Sequence, residues 1–138
     1  MPRRVLLVDD SPTVRSILKV YFMGTDTTFE EAGDGERALQ LARLLAFDLV
    51  IADFRMPRMD GLAFTAALRA DERGRVRRLP VILLTAERNP ELRQLSLEAG
   101  ANEFLQKPVS TDELLAAVRR LAPGVEEAQE FVPGAASI

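Results

Sequence analysis

The sequence predicts an α/β protein: a doubly wound, five-stranded parallel sheet with five helices on its two faces. Short apolar runs recur at residues 5–8, 27–31, 49–52, 81–84 and 103–105. Four are compact enough to be buried on both faces, as parallel strands are. Between the runs the apolar residues switch to helical spacing, so strand and helix signals alternate as they do in successive βα units.

The elements follow in order. After the first run, Ser11-Pro12 pairs an N-cap with proline at the first helical position. Val14, Ile17, Leu18 and Phe22 then recur on one helical face, with Gly24 as the expected C-cap. The run at 27–31 is short and polar, which suits an edge strand. Asp34-Gly35 opens a second helix with Ala38, Leu41, Leu44 and Leu45 on its face. Gly61 precedes a third, carrying Leu62, Phe64, Ala67 and Leu68. Asn89-Pro90 opens a fourth that closes at Gly100. Ser110, with Glu113 three residues on, is a capping box for the fifth, at 114–121. The pattern stops after Ala122, so the domain is expected over 3–122, with 123–138 as a C-terminal tail. The arginine-rich stretch Arg69, Arg73, Arg75, Arg77 and Arg78 reads as a solvated loop with neither aromatics nor a nucleic-acid motif.

Composition narrows the chemistry. At 138 residues the chain is long enough for one domain with a real core. A net charge of -3 gives no general affinity for nucleic acid or anionic membrane. With no cysteine and no histidine, thiolate or imidazole metal ligands and an internal phosphohistidine are excluded from it. Met1-Pro2-Arg3-Arg4 leads straight into a strand and is neither a signal peptide nor a membrane span, so a cytoplasmic protein is expected.

The residues at the strand ends carry the chemistry. Asp9-Asp10 follow the first run and Asp53 the third. In a doubly wound sheet, ligands bind beyond the carboxyl ends of the strands, at the switch in strand order. Carboxylates gathered there repel one another unless a cation sits between them, and a hard divalent ion such as Mg²⁺ suits oxygen ligands. The remaining two strands end in Thr85 and Lys107-Pro108, a hydroxyl and an ammonium. Lys107 is one of only two lysines against sixteen arginines, which suggests a site that needs a compact ammonium on a slim stem. Taken singly, Asp9-Asp10 could cap a helix, Thr85 could end a strand and Lys107 could lie on the surface. Together they form a site for a phosphoryl group.

These residues lie within motifs that resemble a response-regulator receiver domain of two-component signalling, most similar to single-domain chemotaxis-type receivers. The resemblance rests on Leu-Leu-Val-Asp-Asp-Ser-Pro at 6–12, Asp-Phe-Arg-Met-Pro-Arg-Met-Asp-Gly at 53–61, Leu-Thr-Ala at 84–86 and Phe-Leu-Gln-Lys-Pro at 104–108. It implies a flavodoxin-like sheet of strand order 2-1-3-4-5. It implies Asp53 as phosphoacceptor, taking its phosphoryl group from the phosphohistidine of a sensor histidine kinase or phosphotransfer protein. Asp10, Asp53 and the Arg55 backbone carbonyl would hold Mg²⁺, with Asp9 acting largely through water. Lys107 would pair with Asp53 and then with the phosphoryl group. Thr85 would hydrogen-bond that group, and Phe104 would swing inward with it. Arg55 and Glu87 occupy the positions that tune self-hydrolysis in the family, and their opposite charges suit a pair across the opening. A cis bond before Pro108 is also a family feature.

The resemblance further implies a phosphorelay signalling protein, not a conventional enzyme, acting as a monomer or as a phosphorylation-dependent dimer. Its downstream protein partner would bind the face built from the fourth helix, the fifth strand and the fifth helix, and direct nucleic-acid contact is not expected. A haloacid-dehalogenase-type phosphatase would want Asp-x-Asp after the first strand and usually a cap domain. A flavodoxin would want small or hydroxyl residues where Asp9-Asp10 stand. The alternative within the family is a degenerate receiver that binds partners without phosphorylation.

Overall fold

A computed structural model describes residues 3–122. The strands are β1 (Arg3–Val8), β2 (Thr27–Ala32), β3 (Leu49–Asp53), β4 (Val81–Thr85) and β5 (Glu103–Gln106). They form one parallel sheet in the order β2-β1-β3-β4-β5. The helices are α1 (Pro12–Tyr21), α2 (Gly35–Leu44), α3 (Gly61–Arg69), α4 (Gly74–Arg77), α5 (Glu91–Ala99) and α6 (Thr111–Leu121). The expected tail at 123–138 lies outside the described residues.

Side-chain alternation along the strands divides the core in two. Val5 and Leu7 of β1, Leu49 and Ile51 of β3, and Ile82 and Leu84 of β4 face α1 and α6. Leu6, Val8, Val50, Ala52, Val81 and Leu83 face α2, α3 and α5. Both faces are covered, which is why these strands read as continuous apolar runs rather than alternating ones.

The caps set the helix starts. Ser11, Asp34, Asp60 and Ser110 each accept a hydrogen bond from the backbone N–H three residues on. Each satisfies a donor that the first turn leaves without a helical partner. Asn89 plays a shorter version of this part, accepting from the Glu91 N–H. Gly100 closes α5 in the left-handed conformation, φ 109°.

Four expectations change. The first helix ends at Phe22, and Gly24 takes its positive φ two residues later, in the turn that follows. Ile17 is about half exposed, and Leu44 is 73% exposed because it falls beside the face of α2 that Ala38, Leu41 and Ala42 bury. Among the described residues there are six helices, because the stretch read as a loop contains the single turn α4. Its arginines also do structural work. Arg75 donates to the carbonyls of Ala42, Arg43 and Leu45 and so caps the C-terminus of α2. Arg69 donates to Gly100 and Arg77 carbonyls and to the Asn102 side chain. Asp71 is buried and bound by Arg43 and Arg73.

Candidate functional site

Strand register brings the singled-out residues together. Val8 pairs with Ala52 and Asp53 with Leu84, so the residues just past β1 lie beside the end of β3. Thr85 pairs with Gln106, which puts Lys107 one step beyond the end of β5. Asp9-Asp10, Asp53, Thr85 and Lys107 therefore line one edge in spatial order, at the switch point where the chain leaves β1 for opposite sides of the sheet.

At that edge Asp9, Asp10 and Asp53 each offer a carboxylate oxygen within 4.8 Å of the others. The three differ in setting. Asp9 is buried, its Oδ1 accepts from the Ser11 N–H, and its carbonyl accepts from Arg15. Asp53 is half-buried and accepts from the Phe54 N–H, while Asp10 is exposed. Lys107 bridges two of them, its Nζ lying 3.1 Å from Asp53 Oδ1 and 3.3 Å from Asp9 Oδ2. Burial raises the Asp53 carboxyl above its ordinary value; Lys107 pulls against that shift and Asp9 adds to it. Burial also works to lower the pKa of the Lys107 ammonium, but Asp53 and Asp9 outweigh it and hold it above its ordinary value.

The rim is formed by the loops after β3 and β4. Gly61 starts α3 so close to β3 that a Cβ there would lie 2.7 Å from the Asp53 carbonyl oxygen, which turns the loop tightly back on the strand. The Arg55 side chain reaches across the opening to Glu87, with Nε 2.9 Å from Oε2. Thr85 is buried, and its hydroxyl accepts from the Glu87 N–H. Phe104 is buried in this structure, with the Arg93 guanidinium 5.6 Å from its ring centroid. The Lys107-Pro108 peptide is cis.

The donor set is all oxygen, carboxylate-rich and open on the Asp10 side, as a hard divalent cation requires. A family model for the response regulator receiver domain matches residues 5–119. The chain belongs to that family. Among relatives of this receiver, the DNA-binding response regulator MtrA of Mycolicibacterium smegmatis is 35% identical over 133 residues, covering 96% of this chain and 56% of that protein. The response regulator MprA of Mycolicibacterium vanbaalenii is 39% identical over 121 residues, covering 88% and 51%. The receiver spans about half the length of these curated relatives.

Among solved structures, the receiver domain of the sensor histidine kinase PA1611 from Pseudomonas aeruginosa has a TM-score of 0.79 at 30% identity, covering 89% of this chain and 99% of that one. That crystal holds a magnesium ion coordinated in its active-site cleft. The chemotaxis response regulator CheY4 of Vibrio cholerae has a TM-score of 0.78 at 33% identity, with 88% and 99% covered.

Several residues of the receiver's site carried no signal in the sequence. Arg15, one helical turn past Ser11, ties the Asp9 carbonyl to Glu31 of β2. Gln106 donates to the Thr85 carbonyl, and Arg93 covers Phe104. Only the helical spacing of Arg15 from Ser11 could have pointed to its contact.

Proposed function

We propose that this receiver accepts a phosphoryl group on Asp53 and that its fold reports the modification to a protein partner. The observation that carries the proposal is the Lys107 ammonium held between Asp53 and Asp9 at the switch point. A carboxylate oxygen of Asp53 forms the new bond to phosphorus, while the donor's P–N or P–O bond breaks and its electron pair leaves with the donor. Lys107 would follow the charge from the carboxylate to a phosphoryl oxygen. Thr85 Oγ1, now held by the Glu87 N–H, is the hydroxyl that would turn to the phosphoryl group. Such transfer needs mainly positioning and charge neutralisation.

Asp10, Asp53 and the Arg55 carbonyl would hold Mg²⁺, with Asp9 acting through water. A bound divalent cation would neutralise charge shared by the carboxylates and the phosphoryl oxygens. The chain thus assists its own phosphorylation and slow dephosphorylation without being a conventional enzyme. Receiver domains take their signal from histidine kinases, and this reading carries a cytoplasmic location with it. An apolar groove of about 400 Å³ between α1 and the start of α6 shares Lys107 with the site, and exposed Ile17 lines it. A phosphohistidine-bearing protein would find apolar contact there. The downstream partner would use the α5-β5-α6 face, where Arg88, Arg93, Phe104 and Gln106 line a cavity of about 420 Å³. Thr85 and Phe104 would bias that face through a pre-existing equilibrium. Direct nucleic-acid binding is not proposed for residues 3–122.

The test is acetyl phosphate with Mg²⁺ and no kinase, followed by intact-mass measurement. One added phosphoryl group is expected, lost with chelator and in Asp53→Asn. Full labelling of the Asn variant, or none of the wild type, overturns the assignment.

A further inference from the structure

The loop that leaves Asp53 is fastened to the N-terminus of α2 by contacts that the transfer itself does not use. Arg58 lies in the left-handed region, φ 66°. Glycine or asparagine would adopt that conformation more readily, whereas in arginine it persists only when surroundings enforce it. What arginine adds is reach. Its Nη2 lies 2.7 Å from Asp34 Oδ2, and its Nε 3.8 Å from Glu36 Oε2. Asp34 is 7% exposed, and its Oδ1 caps α2 by accepting from the Arg37 N–H. Next to this pair, Met59 packs so tightly on α2 that a Cβ at Gly35 would come within 2.5 Å of the Met59 carbonyl oxygen.

The other end of the loop is fixed as well. The Phe54 N–H donates to the Leu84 carbonyl, and the Gly61 N–H to the Phe54 carbonyl. Arg55 sits between these anchors. We propose that Arg58 is a positioning residue for the cation site: its ion pair with Asp34 holds the β3–α3 loop on α2 and thereby places the Arg55 carbonyl beside Asp10 and Asp53. This rests on the magnesium reading above.

Two substitutions separate the ion pair from the other duties of these residues. Arg58→Gly relieves the backbone and removes the pair. Asp34→Asn keeps a side-chain oxygen for the cap and removes the charge. Electrostatics through space works in opposite directions in the two, since loss of a nearby cation should tighten Mg²⁺ binding. Positioning predicts that both weaken it.

The experiment is calorimetric titration of Mg²⁺ into metal-free wild type, both single variants, the double variant and Arg58→Lys, with urea stability in chelator measured alongside. Each single variant should raise the dissociation constant about tenfold, the scale of losing a supporting contact around metal ligands. The double variant should be no weaker than either single, and Arg58→Lys should bind like wild type. Affinity unchanged or tightened in Arg58→Gly, or multiplicative losses in the double variant, overturns the proposal. Wild type that binds no Mg²⁺ removes the cation reading itself; wild type that binds, with variants that bind equally well, removes only the role of Arg58.

Discussion

Replacing Lys107 by methionine removes the charge between the carboxylates and keeps a slim, unbranched side chain. At an effective dielectric of about 20, contacts of 3.1 and 3.3 Å each attract by roughly 5 kcal/mol before desolvation is counted. Desolvation of the ammonium and carboxylates offsets much of that. Breaking a buried pair by removing one partner costs about 3–5 kcal/mol. Lys107 keeps 22% of its side-chain exposure, so the loss expected in chelator is toward or below that range, about 2–3 kcal/mol. Magnesium should then restore more stability to the variant than it adds to wild type, because the cation no longer competes with the ammonium. Each tenfold gain in affinity adds about 1.4 kcal/mol at saturating metal. Urea denaturation of both proteins, in chelator and in millimolar Mg²⁺, measures all four quantities. A variant as stable as wild type in chelator, or equal stabilisation of both by magnesium, refutes the reasoning.

Four further outcomes are expected. Burial raises the Asp53 pKa, so the folded state holds that proton more tightly than the unfolded chain and the ionised carboxylate costs stability above its folded pKa. Asp53→Asn should therefore melt higher than wild type in chelator at neutral pH, and the advantage should shrink as the pH falls through the folded pKa and be gone only below the ordinary carboxylate value of the unfolded chain. Asp71 is the opposite case: the Arg43 side chain and the Arg73 N–H hold it down to about 2, so its contribution is full above the ordinary carboxylate range and is lost as the pH falls through about 2. Asp71→Asn should flatten the acid limb of the stability profile. Arg75→Ala frees three carbonyls around the end of α2 and should cost about 1–2 kcal/mol in urea denaturation. Arg55→Ala and Glu87→Ala should each shorten the phosphoryl lifetime, less than additively in the double variant, as followed by acid-labile phosphate decay; the ion pair contributes only about 0–1 kcal/mol, but 1.36 kcal/mol is tenfold in rate.

The parts legible in the sequence were those fixed by local pattern. Strands buried on both faces announced themselves as apolar runs, and Ser11, Asp34 and Ser110 marked helix starts because the first turn needs an acceptor there. The carboxylates, Thr85 and Lys107 were legible because each terminates a run, and parallel topology brings such ends to one edge. Long-range pairings were not. The Arg58–Asp34 pair spans 24 residues and the Arg75–Ala42 contact 33, and neither leaves a local periodicity. One turn of helix at 74–77 is too short to show one, so its arginines read as solvent-facing. Leu44 lies three residues from buried Leu41 but beyond the margin of the face that Ala38, Leu41 and Ala42 bury, so its apolar character alone pointed to the core.

The central claim is that Asp53, and no other acid, carries the phosphoryl group. Labelling with a small phosphodonor and Mg²⁺, followed by borohydride reduction of the acyl phosphate and peptide mass mapping, reads the position directly. The account predicts homoserine at residue 53 and unmodified aspartate at residues 9 and 10. Homoserine at either of those positions, with residue 53 left as aspartate, would contradict it.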